Sequence, residues 1–337
     1  MFILGPMLDK TEILELLQTD DERALFRQAD EIRHKYVGDE VHLRALIEFS
    51  NICRNNCLYC GIRKGNEKAI RYRMSEDELV ETAQKAADMG FKTIVMQSGE
   101  DMYFNMPRLC RIIEQIKKFD VALTLSIGER TYEDYKAFHQ AGADRYLMRI
   151  ETTDKALYAK LHPNQSWQKR HECLLMIKEL GYELGSGIMV GLPGQSMESI
   201  AGDLIYLKDI GIDMAGIGPF IPHGQTPLKD EKGGTLSLAL RTMAVMRILM
   251  PDINIPATTA MESLHPRGRL MALQAGANVV MPNVTEGDYR KFYELYPGKP
   301  CTNEQPKQCQ TCLGIKIQSI GRTIGTGYGG HNGKKPL

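Results

Sequence analysis

The sequence predicts an α/β protein built as a (β/α)8 TIM-type barrel, with an N-terminal helical cap and a C-terminal Cys-containing extension. Three observations carry that expectation. Strand-like apolar runs alternate with helix-periodic stretches without a break from residue 41 to residue 285. The length of 337 residues accommodates a barrel of about 250 residues with additions at both ends. Polar and glycine-containing motifs follow the strand-like runs directly, at the end where an α/β barrel carries its chemistry.

Residues 9–36 hold two helical patterns, Ile13, Leu14, Leu16 and Leu17 in the first and Leu25, Ala29, Ile32 and Tyr36 on one face of the second. Both precede the first strand, so residues 1–40 are expected to cap the barrel. Residues 41–49 read as strand one. Ser75-Glu76-Asp77-Glu78 is a capping box ahead of Leu79, Val80, Ala83 and Ala87. Strand two follows at 92–97, a helix at 107–119, strand three at 121–126, a helix at 131–141 and strand four at 144–151. The second half repeats the rhythm, with helices expected at 166–180, 197–210, 236–250 and 267–275 and strands at 185–190, 214–220, 254–259 and 279–282. The extension, 286–337, opens on an aromatic helix with Tyr289, Phe292, Tyr293 and Tyr296. It continues through a second group of Cys and a short helix into a Gly- and Lys-rich tail from 321, expected to be a loose arm or a lid.

Lys plus Arg (42) equals Asp plus Glu (42), so the chain has no general field for nucleic acid or an anionic membrane, and any basic surface must be local. The opening Met1-Phe2-Ile3-Leu4-Gly5-Pro6 is too short for a membrane span and lacks the pattern of a secretory signal, which implies a cytoplasmic protein. Six of the eight Cys fall into two tight triplets, better explained by metal ligation in a reducing compartment than by disulfides.

The first triplet, Cys53, Cys57 and Cys60, has the spacing C-x3-C-x2-C, with Tyr59 before the last Cys and strand one before the loop. A structural zinc site takes four ligands. Three thiolates suit three corners of an iron–sulfur cube and leave one iron open to an external chelating ligand. A zinc knuckle or coincidence is the alternative. The stretch Gly185-Ser186-Gly187-Ile188-Met189-Val190-Gly191 has glycines inside a strand at the wrong spacing for a dinucleotide fingerprint, and no P-loop occurs. Arg149 and Glu151 lie two apart on strand four and so share one face, as a functional polar pair or a core salt bridge. The second triplet, Cys301, Cys309 and Cys312, has the spacing C-x7-C-x2-C in a stretch rich in Gln, Lys and Pro, read as a loop. It can hold a second iron–sulfur cluster, a zinc completed by a His such as His331, or nothing. Cys110 and Cys173, on apolar helix faces, read as ordinary buried thiols.

The first Cys loop resembles that of the radical S-adenosylmethionine (SAM) superfamily. The resemblance implies a [4Fe–4S] cluster on Cys53, Cys57 and Cys60 whose open iron binds the amino and carboxylate groups of SAM, and whose electron cleaves SAM to a 5′-deoxyadenosyl radical. It implies a turn for the SAM amino group at Ser98-Gly99-Glu100. Ser98, Ser126, Glu151 and Arg170 would then place SAM, Arg170 by gripping its carboxylate with two hydrogen bonds unless it is an ordinary surface residue. Tyr59 and Met189 complete the cofactor set, the small residues around Met189 leaving room for adenosine.

Five further segments narrow the likeness. They are Glu48-Phe49-Ser50-Asn51, Gln97-Ser98-Gly99-Glu100-Asp101, Gly191-Leu192-Pro193-Gly194-Gln195, the run 216–223 and Pro256-Ala257-Thr258-Thr259-Ala260-Met261. With Tyr296-Pro297-Gly298, they resemble the HydE family of [FeFe]-hydrogenase maturases, in the branch that also holds biotin synthase and methylornithine synthase. That likeness implies assembly of the two-iron subcluster of the hydrogenase on an iron complex bearing CO, cyanide and cysteine. It also implies an electron donor, other maturation proteins as partners, and a second cluster, [2Fe–2S] or [4Fe–4S], on the second triplet. Substrate-binding candidates are Arg149, Thr258, Thr259, Met281, Tyr293 and Tyr296, against the plain reading of Met281 as core and the tyrosines as packing. Relatives often carry His after the Arg of strand four, where this chain has Ile150, so a metal role there is not expected. Sulfur insertion of the biotin synthase kind is disfavoured, because strands three to five contain no Cys. A lysine mutase like methylornithine synthase, whose family lacks the second triplet, is the runner-up. A non-catalytic iron–sulfur scaffold or carrier is the alternative from another class.

Overall fold

A computed structural model describes residues 8–300, 306–333 and 335–337. Its strands are β1 (Glu40–Leu43), β2 (Ala45–Ser50), β3 (Thr93–Ser98), β4 (Ala122–Ser126), β5 (Arg145–Leu147), β6 (Glu183–Val190), β7 (Met214–Pro219), β8 (Val279–Val280) and β9 (Thr323–Ile324). β2 to β7 pair in chain order as one parallel six-stranded sheet. Parallel neighbours need crossovers, and each of these is helical. Single parallel bridges carry the pairing onward from Met214 to Asn254, from Pro256 to Val279 of β8, and from Asn283 back to Leu46 of β2.

Several expected strands are shortened for local reasons. The run 41–49 divides at Arg44 because β1 leaves the main sheet to pair with β8 and β9. The run 254–259 touches its neighbours only at Asn254 and Pro256, since Pro256 has no N–H to extend a ladder, and Thr259–Leu264 is a helix instead. Strand four ends at Leu147, and Glu151 rejoins β6 through one bridge at Ile188.

The α-helices as far as Leu236–Leu249 begin where side-chain caps stand, whereas Thr259–Leu264, Gly268–Gln274 and Tyr289–Phe292 have none. Ser75 and Glu78 form the capping box, Thr131 and Asp134 another, and Asn105, Ser166, Ser196 and Thr235 each accept a first-turn N–H. Helix Lys155–Leu161, capped by Asp154, was not legible as a separate element. β2 and β7 are buried along their whole length, as strands covered on both faces must be. The N-terminal helices Lys10–Gln18 and Glu22–Val37 pack on the helix layer, chiefly against Met197–Asp209 and Leu236–Leu249. This second cover explains why Leu236–Leu249 buries residues on nearly every side.

The tail is neither a loose arm nor a lid over the Cys loop. It runs beneath the N-terminal ends of the strands, the opposite end of the sheet. β9 pairs with β1, and the Arg322 guanidinium donates to the carbonyls of Asp39, Glu40, Leu273 and Ala277. The Tyr328 carbonyl accepts from Thr93 Oγ1 at 2.7 Å and from Arg145 at 3.0 Å, and the Gly329 carbonyl accepts from Arg44 and Asn254. His331 meets Asp213 and Asp252. Burial opposes its charge, but hydrogen bonds and attraction from the two carboxylates outweigh this and lift its pKa to about 9. A His raised from 6.5 contributes stability that is complete below pH 6.5 and is lost as pH rises through about 9. His331→Gln should therefore lower the melting temperature at pH 6 by the equivalent of up to about 3 kcal/mol and should converge with the unmodified chain near pH 10. A constant difference across thermal melts at these pH values would remove the charge from this anchor.

Candidate active site

The loop after β2 is held from several sides. The Asn51 side chain donates to the carbonyls of Ile70 and Phe292 and accepts from Tyr72 N–H, fixing the chain where it leaves the strand. Arg71 gathers the carbonyls of Asn51, Ile62, Arg63 and Asn66 around one guanidinium at 2.6–3.2 Å. Gly99, in the turn after β3, lies so close that a Cβ there would stand 2.3 Å from the Ile52 carbonyl and 2.9 Å from Cys53 Cβ. The Glu100 carboxylate is occupied within the loop by Arg54 Nε at 2.6 Å, Asn55 Nδ2 at 2.8 Å and Glu129 N–H at 3.1 Å.

The segment after helix Lys155–Leu161 clamps the other side. Leu58 N–H donates to the Leu161 carbonyl, and Gln165 Nε2 donates to Cys57 Sγ at 3.2 Å. His162 Nδ1 lies 2.9 Å from the Tyr158 carbonyl and its Nε2 lies 2.8 Å from Tyr59 Oη. A carbonyl can only accept, so the proton is assigned to Nδ1, and Nε2 accepts from the Tyr59 hydroxyl. Burial lowers the His162 pKa to about 4, which keeps the ring neutral in this role. Gln165 is itself held by Arg170, whose guanidinium also donates to Glu129 at 2.7 Å and to the Arg149 carbonyl at 2.8 Å. Arg170 is thus a buried, fully engaged residue, and the surface alternative is excluded.

The three thiols share this setting. Burial pushes the Cys57 thiol up to about 11 and raises those of Cys53 and Cys60 as well. A thiolate here therefore needs a cationic partner, and loading one displaces a proton from each ligand. Glu100 N–H, 3.4 Å from Cys53 Sγ, and the Gln165 amide supply hydrogen bonds of the sort that tune thiolate-bound iron. Among the described residues no three His, Cys, Asp or Glu side chains gather round a single metal ion. The donor set of three thiols with N–H groups aimed at two of the sulfurs fits a multi-iron cluster.

Cys53, Tyr59, Cys57 and Cys60 face a cavity of about 360 Å³ at the C-terminal end of the sheet. Every residue anticipated for the cofactor lines it, namely Ser98, Gly99, Glu100, Ser126, Glu151, Arg170 and Met189 beside the cysteines and Tyr59. So does every substrate candidate, Arg149, Thr258, Thr259, Met281, Tyr293 and Tyr296. Arg149 and Glu151 pair at 3.1 Å. Glu151 holds φ at +66°, a left-handed conformation costing about 1–3 kcal/mol in a residue with a Cβ, and this turns its carboxylate to the cavity. Tyr293 is buried, its hydroxyl accepting from Gln97 at 3.3 Å.

Other lining residues escaped the sequence reading. Lys299 donates to Glu48 at 2.7 Å, and Asn283 donates to the same carboxylate at 2.6 Å. Arg269 pairs with Glu262 at 3.0 Å and donates to Thr259 Oγ1. His162 and Gln165 were missed too. Glu48 had a visible signal, one carboxylate inside the apolar strand Ala45–Ser50.

The second triplet is described only in part. Cys301 and the Cys309 side chain lie outside the described residues. Cys309 and Cys312 fall on helix Pro306–Gln318 rather than in a loop, and Cys312 is exposed. His331, weighed as a zinc ligand there, is engaged by Asp213 and Asp252. Cys173 is buried as anticipated, whereas Cys110 is half-buried.

Residues 47–207 match the Radical SAM superfamily, and residues 217–303 match the Biotin and Thiamin Synthesis associated domain. The [FeFe] hydrogenase maturase subunit HydE of Thermotoga maritima is 53% identical over 95% of this chain and 92% of its own. A 3-methylornithine synthase of Methanosarcina acetivorans is 30% identical over 81% of this chain and 77% of its own. The crystal structure of methylornithine synthase (PylB) superposes with a TM-score of 0.84 at 26% identity, covering 95% of both chains. Fold and site together define a radical SAM enzyme. Within that class the chain belongs to the HydE family of [FeFe] hydrogenase maturases. Membership implies a [4Fe–4S] cluster and SAM. No helix among the described residues is long and apolar enough to cross a membrane.

Proposed function

We propose that the chain cleaves SAM reductively and directs the resulting 5′-deoxyadenosyl radical at a small iron complex bearing CO, cyanide and cysteine, as a step in building the two-iron subcluster of [FeFe] hydrogenase. The observation that carries this reading is the single cavity that the three thiols share with Arg149, Arg269 and Lys299. Cys53, Cys57 and Cys60 hold the cluster, which when bound supplies the electron for cleavage. Ser98, Gly99, Ser126 and Glu151 orient SAM, while Glu100 and Arg170 fix the surrounding loops. Met189 and Tyr59 border the adenosine. Arg149, with Thr258 and Thr259, offers donors to an anionic complex, and Met281, Tyr293 and Tyr296 enclose it. The second triplet is read as the seat of a separate cluster that takes no part in this chemistry. The substrate arrives from, or leaves to, other maturation proteins.

The likeness to methylornithine synthase favours lysine as a second reading. Protein reconstituted anaerobically, reduced with dithionite and given SAM should form 5′-deoxyadenosine in amounts that rise with an iron–cysteine complex and do not respond to lysine. A response to lysine alone would establish the second reading. No nucleoside from a fully loaded cluster would leave a carrier of iron–sulfur clusters.

A further inference from the structure

A second cavity, about 700 Å³, opens on the outer side of the Cys loop, and it is lined by Arg54, Asn55, Lys64, Glu129, Gln165 and Lys169 among others. Its floor and its rim carry opposite charges in different states. Glu100 and Glu129, on the floor, are buried and neutralised, Glu100 by Arg54 and Glu129 by Arg170, with Lys169 at 3.9 Å from the same carboxylate. The cations stand out into solvent, the Arg54 and Lys169 side chains being 44% and 60% exposed and Lys64 exposed as well. Residues 54–73 hold six cations, Arg54, Arg63, Lys64, Lys68, Arg71 and Arg73, against the one acid Glu67, in a chain whose net charge is zero. Arg63, Lys64 and Lys68 have no acidic partner among the described residues, since no ion pair includes them. Arg54, Lys169 and Arg73 do have acidic partners, Glu100, Glu129 and Asp101. The excess therefore rests on exposed Lys64 in the groove, with Arg63 and Lys68 beside it in the chain, and such an excess creates a local field that attracts an acidic surface.

The groove also adjoins the cluster site. Asn55 and Asn56, which line it, lie between Cys53 and Cys57 in the chain. Gln165, which lines it too, donates directly to Cys57 Sγ at 3.2 Å. The cavity for SAM is a separate one that shares only Asn55 and Glu100 with the groove, so a protein seated in the groove stands beside the cluster site without entering the substrate's space.

From this arrangement we propose that the groove is the docking surface for a small acidic electron-carrier protein of the ferredoxin kind. The carrier's reduced cluster is oxidised by one electron, and the [4Fe–4S] cluster on Cys53, Cys57 and Cys60 is reduced by that electron from the 2+ to the 1+ state. No bond is made and no proton need move in the transfer. The encounter would be of the weak, charge-steered class with a small contact area. The proposal rests on the radical SAM reading above.

The test is stopped-flow reduction of the reconstituted full chain by a reduced acidic ferredoxin, compared with reduction by dithionite. The variant Lys64→Glu/Lys169→Glu reverses two groove charges, and Lys118→Glu/Lys136→Glu reverses two exposed charges elsewhere. The groove variant should be reduced by ferredoxin at least about tenfold more slowly at low salt and should lose its salt dependence. The Lys118/Lys136 variant should match the unmodified chain, and dithionite should reduce all three alike and support equal 5′-deoxyadenosine formation. Equal ferredoxin rates in both variants, or equal slowing in both, would overturn the docking site. Failure of the unmodified chain to form 5′-deoxyadenosine with dithionite would instead overturn the radical SAM reading beneath it.

Discussion

Cys57→Ala is expected to abolish 5′-deoxyadenosine formation, whereas Cys312→Ala should leave it largely intact. The asymmetry follows from where the two sulfurs stand. Cys57 faces the enclosed cavity with its sulfur fixed by Gln165, which is fixed in turn by Arg170 and, through it, by Glu129. Removing the thiol leaves two ligands for a cluster that has only three to begin with, and it leaves the Gln165 amide aimed at a methyl group. Neither loss can be repaired locally, because the described cysteines beside it are those already in use, Cys53 and Cys60. Cys312 is exposed on helix Pro306–Gln318 and does not line the cavity. Iron and sulfide content measured beside product separates loading from turnover. Nucleoside formation that survives in Cys57→Ala, or vanishes in Cys312→Ala, would reverse the assignment of the two triplets.

The order of elements and the residues around the first triplet were legible because they depend on local signals. A 3.6-residue apolar period, a capping box at Ser75 and three Cys within eight positions are all contained in short windows of chain. Strand ends in a parallel α/β sheet converge on one face by topology, so motifs at 98–100, 149–151 and 258–259 could be gathered to one cavity without knowing distances. What the sequence could not supply were pairings across long stretches of chain. Lys299 meets Glu48 over a separation of 251 residues, and Arg145 meets Tyr328 over 183. No window shows such a pair. The tail from 321 illustrates the consequence. Its Gly and Lys content looks unstructured, yet it is ordered by what its carbonyls and His331 find beneath the sheet. Strand seven failed for the opposite reason, since the β-like composition of 254–259 was correct but Pro256 interrupts the ladder.

Arg145→Ala should cost about 3–5 kcal/mol of stability, the range for breaking a buried ion pair from one side. Arg145 is 1% exposed and uses three nitrogens, donating to Glu183 at 2.8 Å, Thr93 Oγ1 at 3.1 Å and the Tyr328 carbonyl at 3.0 Å. Its removal strands the Glu183 carboxylate in the interior and frees the tail at one of its anchors. A second effect acts in the other direction. Burial, and then repulsion from Arg145, lower the Arg44 pKa to about 9, so losing one guanidinium eases the other, and Arg44 takes up part of the Glu183 charge. This relief places the expected loss nearer the low end of the range. Glu183→Gln has no such relief, because it leaves Arg44 and Arg145 facing each other with only neutral acceptors, among them Thr93 Oγ1 and Met214 Sδ, for company, and it should be the more damaging of the two. Arg145→Met combined with Glu183→Leu removes both charges at similar volume and should recover part of the loss. Urea midpoints for the three variants provide the test, with cluster loading at low temperature as the control, since the pair lies at the end of the sheet away from Cys53, Cys57 and Cys60. If Arg145→Ala were within about 1 kcal/mol of the unmodified chain, the layer beneath the sheet would not be the structural lock that its hydrogen bonds describe.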